Sequence, residues 1–205
     1  MVSKNGVDTE LRGSRRMLLL ILAVCLVPVL IAYALNFLKP DWLPSSQTNH
    51  GELMKPVQAL PTLDLLDTQG AALSNVAFKG HWNLIYLGGD HCDKQCAQRV
   101  LEVSNIRSLL RADAERLKVF YIAPDEAALL HTTAALKPAR MAQLQLLRIG
   151  DKPPNEQAAA VLARQPGSVL LIDPINDWVL SYAPGATPMN MYLDLRHLLR
   201  YSHIG

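Results

Sequence analysis

The sequence predicts an α/β domain carried behind one apolar N-terminal helix. A charge-free run near the N-terminus and, after it, short strand-like apolar runs alternating with amphipathic helical ones support this reading. A third observation sets the chemical question. In LIYLGGDHCDKQC, Leu84 to Cys96, two cysteines separated by three residues follow directly on a strand-like run.

With 205 residues, 50% of them hydrophobic, the chain suffices for one packed domain plus an appendage. Net charge is +2 and both signs are mixed along the chain, which leaves no basic stripe for nucleic acid and no acidic tail for a cationic partner. No phosphate-binding glycine loop, catalytic triad or paired-carboxylate site is visible, and the sequence contains no internal repeat.

Residues 17–38, MLLLILAVCLVPVLIAYALNFL, form the apolar run. At about 1.5 Å rise per residue, about 20 such residues span a hydrocarbon core about 30 Å thick. Arg12, Arg15 and Arg16 precede it and only Lys39 follows closely, so residues 1–16 are expected in the cytoplasm and the remainder exported. Pro28 is tolerated in a membrane helix, and Trp42 stands where an interfacial aromatic is expected. The alternative is a cleaved signal peptide, because Ala32-Tyr33-Ala34 matches a small-x-small site. The apolar run continues beyond that site to Leu38, which favours an uncleaved anchor. Residues 39–57, rich in Pro, Ser, Gln and Asn and without apolar period, read as a linker, and residues 58–205 as the folded domain.

Within the domain, TLDLLDTQGAAL reads as a hairpin turning at Asp67 to Gly70, and WNLIYLGG as a buried strand ended by two glycines. From Asp93 to Arg111, Val100, Val103, Ile106, Leu109 and Leu110 recur at helical steps. LKVFYIA is a second strand, a helix follows Pro124 to about Leu136, and LQLLRIG is a third strand candidate. NEQAAAVLAR reads as a helix capped by Asn155; SVLLIDPINDWVLSY as two antiparallel strands; PMNMYLDLRHLLRY as a closing helix opened by Pro188.

The cysteines are therefore placed at a strand-to-helix passage. Cys25, in the membrane run, behaves as a small apolar residue. Cys92 and Cys96 would face an oxidising compartment, where a disulfide, a maintained dithiol or a metal site is expected of such a pair. At a helix start, four-residue spacing brings them within the roughly 4.4 to 6.8 Å Cα separation that a disulfide needs. The positive end of the helix, with Lys94 nearby, favours the thiolate, and soft thiolates suit Cu(I). A purely structural disulfide is the plain alternative. His91, beside Cys92, reads as a surface group or one that supports a ligand from behind rather than as a ligand, and His81, His131, His197 and His203 as solvated or capping residues. Met189 and Met191 are explained by helical packing before copper ligation.

The chain resembles the Sco family of the thioredoxin superfamily, membrane-anchored proteins that help build the copper centre of cytochrome c oxidase. The resemblance covers about Pro56 to Tyr201 and rests on LDLLDTQGAALS, WNLIYLGG, the His-Cys-x-x-x-Cys of HCDKQC, LKVFYIAPD and VLLIDPINDWVLSY. It implies a thioredoxin-like domain with a central mixed sheet flanked by helices, a periplasmic domain on a single-pass inner-membrane anchor, and copper as cofactor on Cys92 and Cys96. Its implied partners are the membrane and either an oxidase subunit or another assembly factor. In the family a distant histidine completes the copper ligands; the corresponding ARQPGSVLLID offers Gln165 instead, and Asp93 and Ala97 replace the prolines that usually follow the cysteines. By the same resemblance, Pro166 could be the cis-proline that thioredoxin-like folds place beside their cysteines. The residues leave three readings open: a metallochaperone-like protein that is not an enzyme, a thiol-disulfide oxidoreductase, and an assembly factor with a structural disulfide.

The charge asymmetry around residues 17–38 makes the export of the domain testable. A reporter enzyme fused after Gly205 should be active outside the cytoplasm, and cytoplasmic activity would overturn both the orientation and the redox argument.

Overall fold

A computed structural model describes residues 5–38, 49–136 and 143–202. Two compact units are distinguished, Met1–Ser46 and Gln47–Gly205. The first contains helix α1, Asn5–Leu38, which runs without interruption through Pro28. Its stretch Met17–Leu35 is long and apolar enough to cross a membrane, and Cys25 is exposed on it. Residues 39–48 of the expected linker, Trp42 among them, lie outside the described residues, as does His203.

The second unit is built on one eight-stranded sheet. Its strands are β1 (Glu52–Ala59), β2 (Leu65–Asp67), β3 (Ala72–Leu73), β4 (Trp82–Leu87), β5 (Leu117–Ala123), β6 (Leu144–Ile149), β7 (Val169–Ile172) and β8 (Asp177–Tyr182). They lie in the order β1-β8-β7-β4-β5-β6-β2-β3. β4, β5 and β6 are parallel neighbours and every other pairing is antiparallel, so the sheet is mixed as expected. Helices α2 (Lys94–Leu109), α3 (Glu126–Ala135), α4 (Glu156–Leu162) and α5 (Pro188–Tyr201) flank it.

The centre of the sheet follows from the sequence physics. Every residue of β4 is buried, as is all of β5 but Lys118, which is why these strands are continuous apolar runs rather than alternating ones. Alternate side chains of the sheet enter two cores. Leu84, Tyr86, Tyr121 and Leu171 join Val100, Val103 and Ile106 of α2 and Leu195 of α5, whereas Ile85, Phe120, Ile122 and Leu170 join Phe78 and Ala158 and Val161 of α4. Asn83 is buried within β4 and donates from Nδ2 to the carbonyls of Phe78 and His81, at 2.7 and 2.8 Å. The helix starts are capped by side chains that accept backbone N–H groups: Asp93 for α2, Asp125 for α3 and Asn155 for α4. Thus the helix expected from Pro124 opens one residue later, on Asp125.

One element departs from the sequence reading. The last part of the expected linker is β1, which pairs antiparallel with β8 through Glu52–Ser181 and, after a register shift, Gln58–Trp178. No apolar period announced it because β1 is an edge strand with mostly exposed side chains, and it contains Pro56, which only an edge or a bulge accepts.

The chain enters β1 through a clamp. Asp194 of α5 is buried, and its carboxylate accepts the backbone N–H groups of His50 and Gly51, each at 2.9 Å, and the Tyr182 hydroxyl at 3.0 Å. The His50 ring Nδ1 lies 2.9 Å from the same carboxylate. Burial first, then the Asp194 charge and the hydrogen bond to it, push the Tyr182 phenol well above its ordinary range, so it remains a donor. Replacing Asp194 by Ala leaves the buried Gly51 amide and Tyr182 hydroxyl without an acceptor. The expected result is a loss of about 3 kcal/mol in unfolding free energy by urea denaturation, with a smaller loss for Asp194→Asn, which retains one acceptor oxygen.

Candidate functional site

The site forms where β4 ends. Leu87 is held from the β7 side by two backbone hydrogen bonds, donating to the Ser168 carbonyl at 2.9 Å and accepting from Gly167 N–H at 2.7 Å. Gly88 donates to the Ile122 carbonyl at 2.8 Å, and a Cβ at this position would collide with the Tyr121 hydroxyl. Glycine is therefore required here by close approach. A Cβ on Gly89 would stand 3.1 Å from Pro166, so the two segments meet directly.

The chain then passes through His91 and Cys92 to Asp93, the N-cap of α2, whose carboxylate accepts the Cys96 N–H at 2.8 Å. That cap fixes the backbone between the cysteines. Cys92 and Cys96 form a disulfide with Cα atoms 5.1 Å apart, inside the range expected from the sequence. The two sulfurs differ in environment. Cys92 is 8% exposed and belongs to the apolar core, whereas Cys96 is half-buried and opens onto a groove of about 590 Å³. Tyr86, Arg99, Pro166, Gly167 and Gly185 line the groove with it. Arg99 is held across the groove wall by hydrogen bonding to the Ala186 carbonyl and pairs with Glu102 at 3.4 Å. Tyr86 stacks on Tyr121 with ring centroids 5.7 Å apart, and the Tyr121 hydroxyl lies 2.9 Å from Thr132 Oγ1. Burial, and next the neighbouring Tyr121, raise the Tyr86 phenol above its ordinary range, so this groove residue stays neutral.

The remaining sequence candidates are distributed elsewhere. Pro166 does line the groove beside Cys96, but the cis peptide bond among the described residues is Lys55–Pro56, and the expectation of a cis bond before Pro166 is corrected. Gln165 is exposed, and its carbonyl accepts Ser168 N–H at 3.1 Å. Met191 is buried in the core, whereas Met189 lies in a separate groove with Leu109, Tyr192 and Arg196. His81 Nδ1 lies 3.4 Å from the Lys79 carbonyl, and His197 packs on Tyr201 with ring centroids 5.0 Å apart. His91 meets His131 of α3 edge to face, with ring centroids 5.5 Å apart. Their separation in sequence concealed this pairing, and nothing in the spacing could have revealed it. Among the described residues no three His, Cys, Asp or Glu side chains are grouped to hold a metal ion.

Copper is thus tested against the donors present. In the disulfide neither sulfur is a thiolate, so ligation requires prior reduction; the reduced pair supplies two soft donors that fit Cu(I), and no histidine occupies the loop before β7.

A mixed sheet flanked by helices, with a cysteine pair at the passage from a central strand to the following helix, defines a thioredoxin-like protein. Residues 82–202, from the first residue of β4 to the residue after α5, match the family described as "Transmembrane-like, thioredoxin-like, C-terminal domain", and the chain belongs to that family. No curated protein matches the sequence. Among solved structures, yeast Sco1 superimposes with a TM-score of 0.56 at 16% identity, covering 73% of this chain and 98% of that one. Copper-bound ScoI of Arabidopsis thaliana gives 0.54 at 14% identity, over 71% and 100%. The thioredoxin domain of a thiol-disulfide oxidoreductase from Bacteroides vulgatus gives 0.54 at 13% identity, over 69% and 95%. At these identities the likeness is one of fold, and it extends equally to copper proteins and to oxidoreductases.

The capping bond of Asp93 yields a prediction for the site's framework. Asp93→Ala should cost about 1 kcal/mol of stability and loosen the first turn of α2; hydrogen exchange should show faster exchange of the Cys96 amide, with the central strands unaffected.

Proposed function

We propose that this chain is a single-pass inner-membrane protein, with residues 1–16 cytoplasmic, residues 17–38 in the membrane and the domain in the periplasm. Its domain serves the assembly of cytochrome c oxidase through thiol–disulfide exchange at Cys92 and Cys96, acting on an oxidase subunit or another assembly factor. The observation that carries this reading is the disulfide at the start of α2 with one sulfur open to a ligand-sized groove. A reversible pair needs a thiolate that is favoured yet not trapped. The positive end of α2 supplies the former, with Lys94 and no acidic residue in the first turn beyond the cap, and half-exposure of Cys96 supplies access. A structural bridge explains less: chain entropy predicts only about 2 kcal/mol for so short a loop, against nearly 5 kcal/mol for one of about 100 residues. It also leaves the groove unexplained.

The second reading is delivery of copper, favoured by the two sulfurs at one helix start and by the copper-bound Sco structures that share the fold. Copper is then cargo, held as Cu(I) between Cys92 and Cys96 after reduction. Cu(II) prefers harder nitrogen donors, and Gln165 offers an amide where an imidazole would serve.

Equilibration in dithiol–disulfide buffers should show one reversible two-electron couple for Cys92–Cys96, absent in Cys92→Ser and Cys96→Ser. The reduced chain should bind one Cu(I) and lose it in either serine variant, whereas Cu(II) should bind weakly and gain tenfold or more in Gln165→His. Tight Cu(II) binding with strong thiolate absorption in the unaltered chain would overturn the two-sulfur reading. A pair that never equilibrates with the buffers would overturn the exchange reading.

A further inference from the structure

His91, on the segment between β4 and α2, and His131, on α3, have no part in the function proposed above, yet the fold brings their rings together. We infer that the two imidazoles form a surface site for one nitrogen-preferring divalent metal ion such as Zn(II), and that the bound ion ties the segment between β4 and α2 to α3. The site is separate from the two sulfurs and does not rest on either reading of them.

The ring centroids stand 5.5 Å apart with their planes at 85°. Zinc binds an imidazole nitrogen at about 2.0–2.1 Å, so two rings on one tetrahedral ion have centroids about 5 Å apart, close to the separation already present. Both side chains are exposed, so an ion reaches them directly from solvent. The outer torsion of a histidine is broad, and exposed rings turn about it at little cost to aim one nitrogen each at a common point. Borderline divalent ions suit imidazole, whereas Mg(II) prefers oxygen, and two protein ligands leave the other positions to water. The sulfurs are not needed, because the disulfide contains no thiolate.

Each exposed ring is carried next to an anchored residue. His91 precedes Cys92, which is buried and bridged to Cys96, and Asp93, which caps α2. His131 precedes Thr132, which is fully buried, donates from its hydroxyl to the Ala128 carbonyl at 2.9 Å and lies 2.9 Å from the Tyr121 hydroxyl. The core therefore holds both backbones, and only side-chain torsions remain to be fixed on binding. Under that condition two ligands hold an ion much better than either alone. Charge favours the same place: Asp90 and Asp93, both exposed, stand on either side of His91 in the chain and offset the positive end of α2. Each histidine looked like an isolated solvated residue in the sequence, since 40 positions separate them.

The full chain in detergent, with its disulfide intact, Cys25→Ala removing the third thiol and no histidine tag, tests this by calorimetric titration with Zn(II). One ion should bind per chain. His91→Gln and His131→Gln should each weaken binding at least tenfold, whereas His197→Gln, whose ring packs on Tyr201, should leave it within twofold. A hundredfold excess of Mg(II) should not displace the ion. Absence of Zn(II) binding, binding that survives a change at either histidine of the pair, an equal loss in His197→Gln, or displacement by Mg(II) would each overturn the site. Hydrogen exchange tests the tie itself: Zn(II) should slow amide exchange at least threefold in residues 89–92 and in 129–135 of the unaltered pair, and in neither segment of His131→Gln. Protection of only one segment would overturn the bridge between them. Both substitutions replace exposed rings, and exchange of the central strands in the absence of metal, unchanged from the parent chain, checks that each variant is folded.

Discussion

Leu87 is where the structure is decided. Its two backbone hydrogen bonds to Gly167 and Ser168, with the bond from Gly88 to Ile122, lock the end of β4 between the loop before β7 and the end of β5. The following residues must then leave the sheet at one place and in one direction. Buried amide and carbonyl groups cannot go unpaired, so this clamp is obligatory rather than decorative. Everything chemical is displaced from it by only a few residues: the disulfide on one side, Pro166 and the groove on the other.

Much of this could be read from the residues. Continuous apolar runs announced β4, β5 and β7, because strands buried on both faces have no polar phase. The start of α4 was visible because Asn155 precedes its periodic run, whereas that of α3 was expected at Pro124, one residue before its cap Asp125. The position of Cys92 and Cys96 at a strand-to-helix passage, and their ability to bridge, followed from spacing alone. Three things could not be read. β1 is held by backbone pairing to β8, to which side-chain pattern is blind. The isomer of the Gln165–Pro166 bond depends on the tertiary fit of the loop, not on the residues themselves. His50 and Asp194, like His91 and His131, meet only through the fold, since 144 positions separate the first pair.

The departures from the Sco pattern acquire a consistent meaning in the fold. Gln165, where the resemblance calls for a histidine, is exposed, and Asp93, where it calls for a proline, is the N-cap of α2. Asp93 instead supplies a capping carboxylate that accepts the Cys96 amide. The framework that orients the two sulfurs is thus local and self-sufficient.

The Asp194 clamp has a mechanical consequence. A pull on the chain from its N-terminal side enters the domain at His50 and Gly51, where bonds to one buried carboxylate are loaded together before any pair of β1. Only after they part would β1 peel from β8, one pair at a time, from the edge of the sheet. β8 and β7 still lie between that edge and β4. Tension from that side would therefore be spent first at the margin of the sheet, before it reached β4, whose end leads into the cysteine segment.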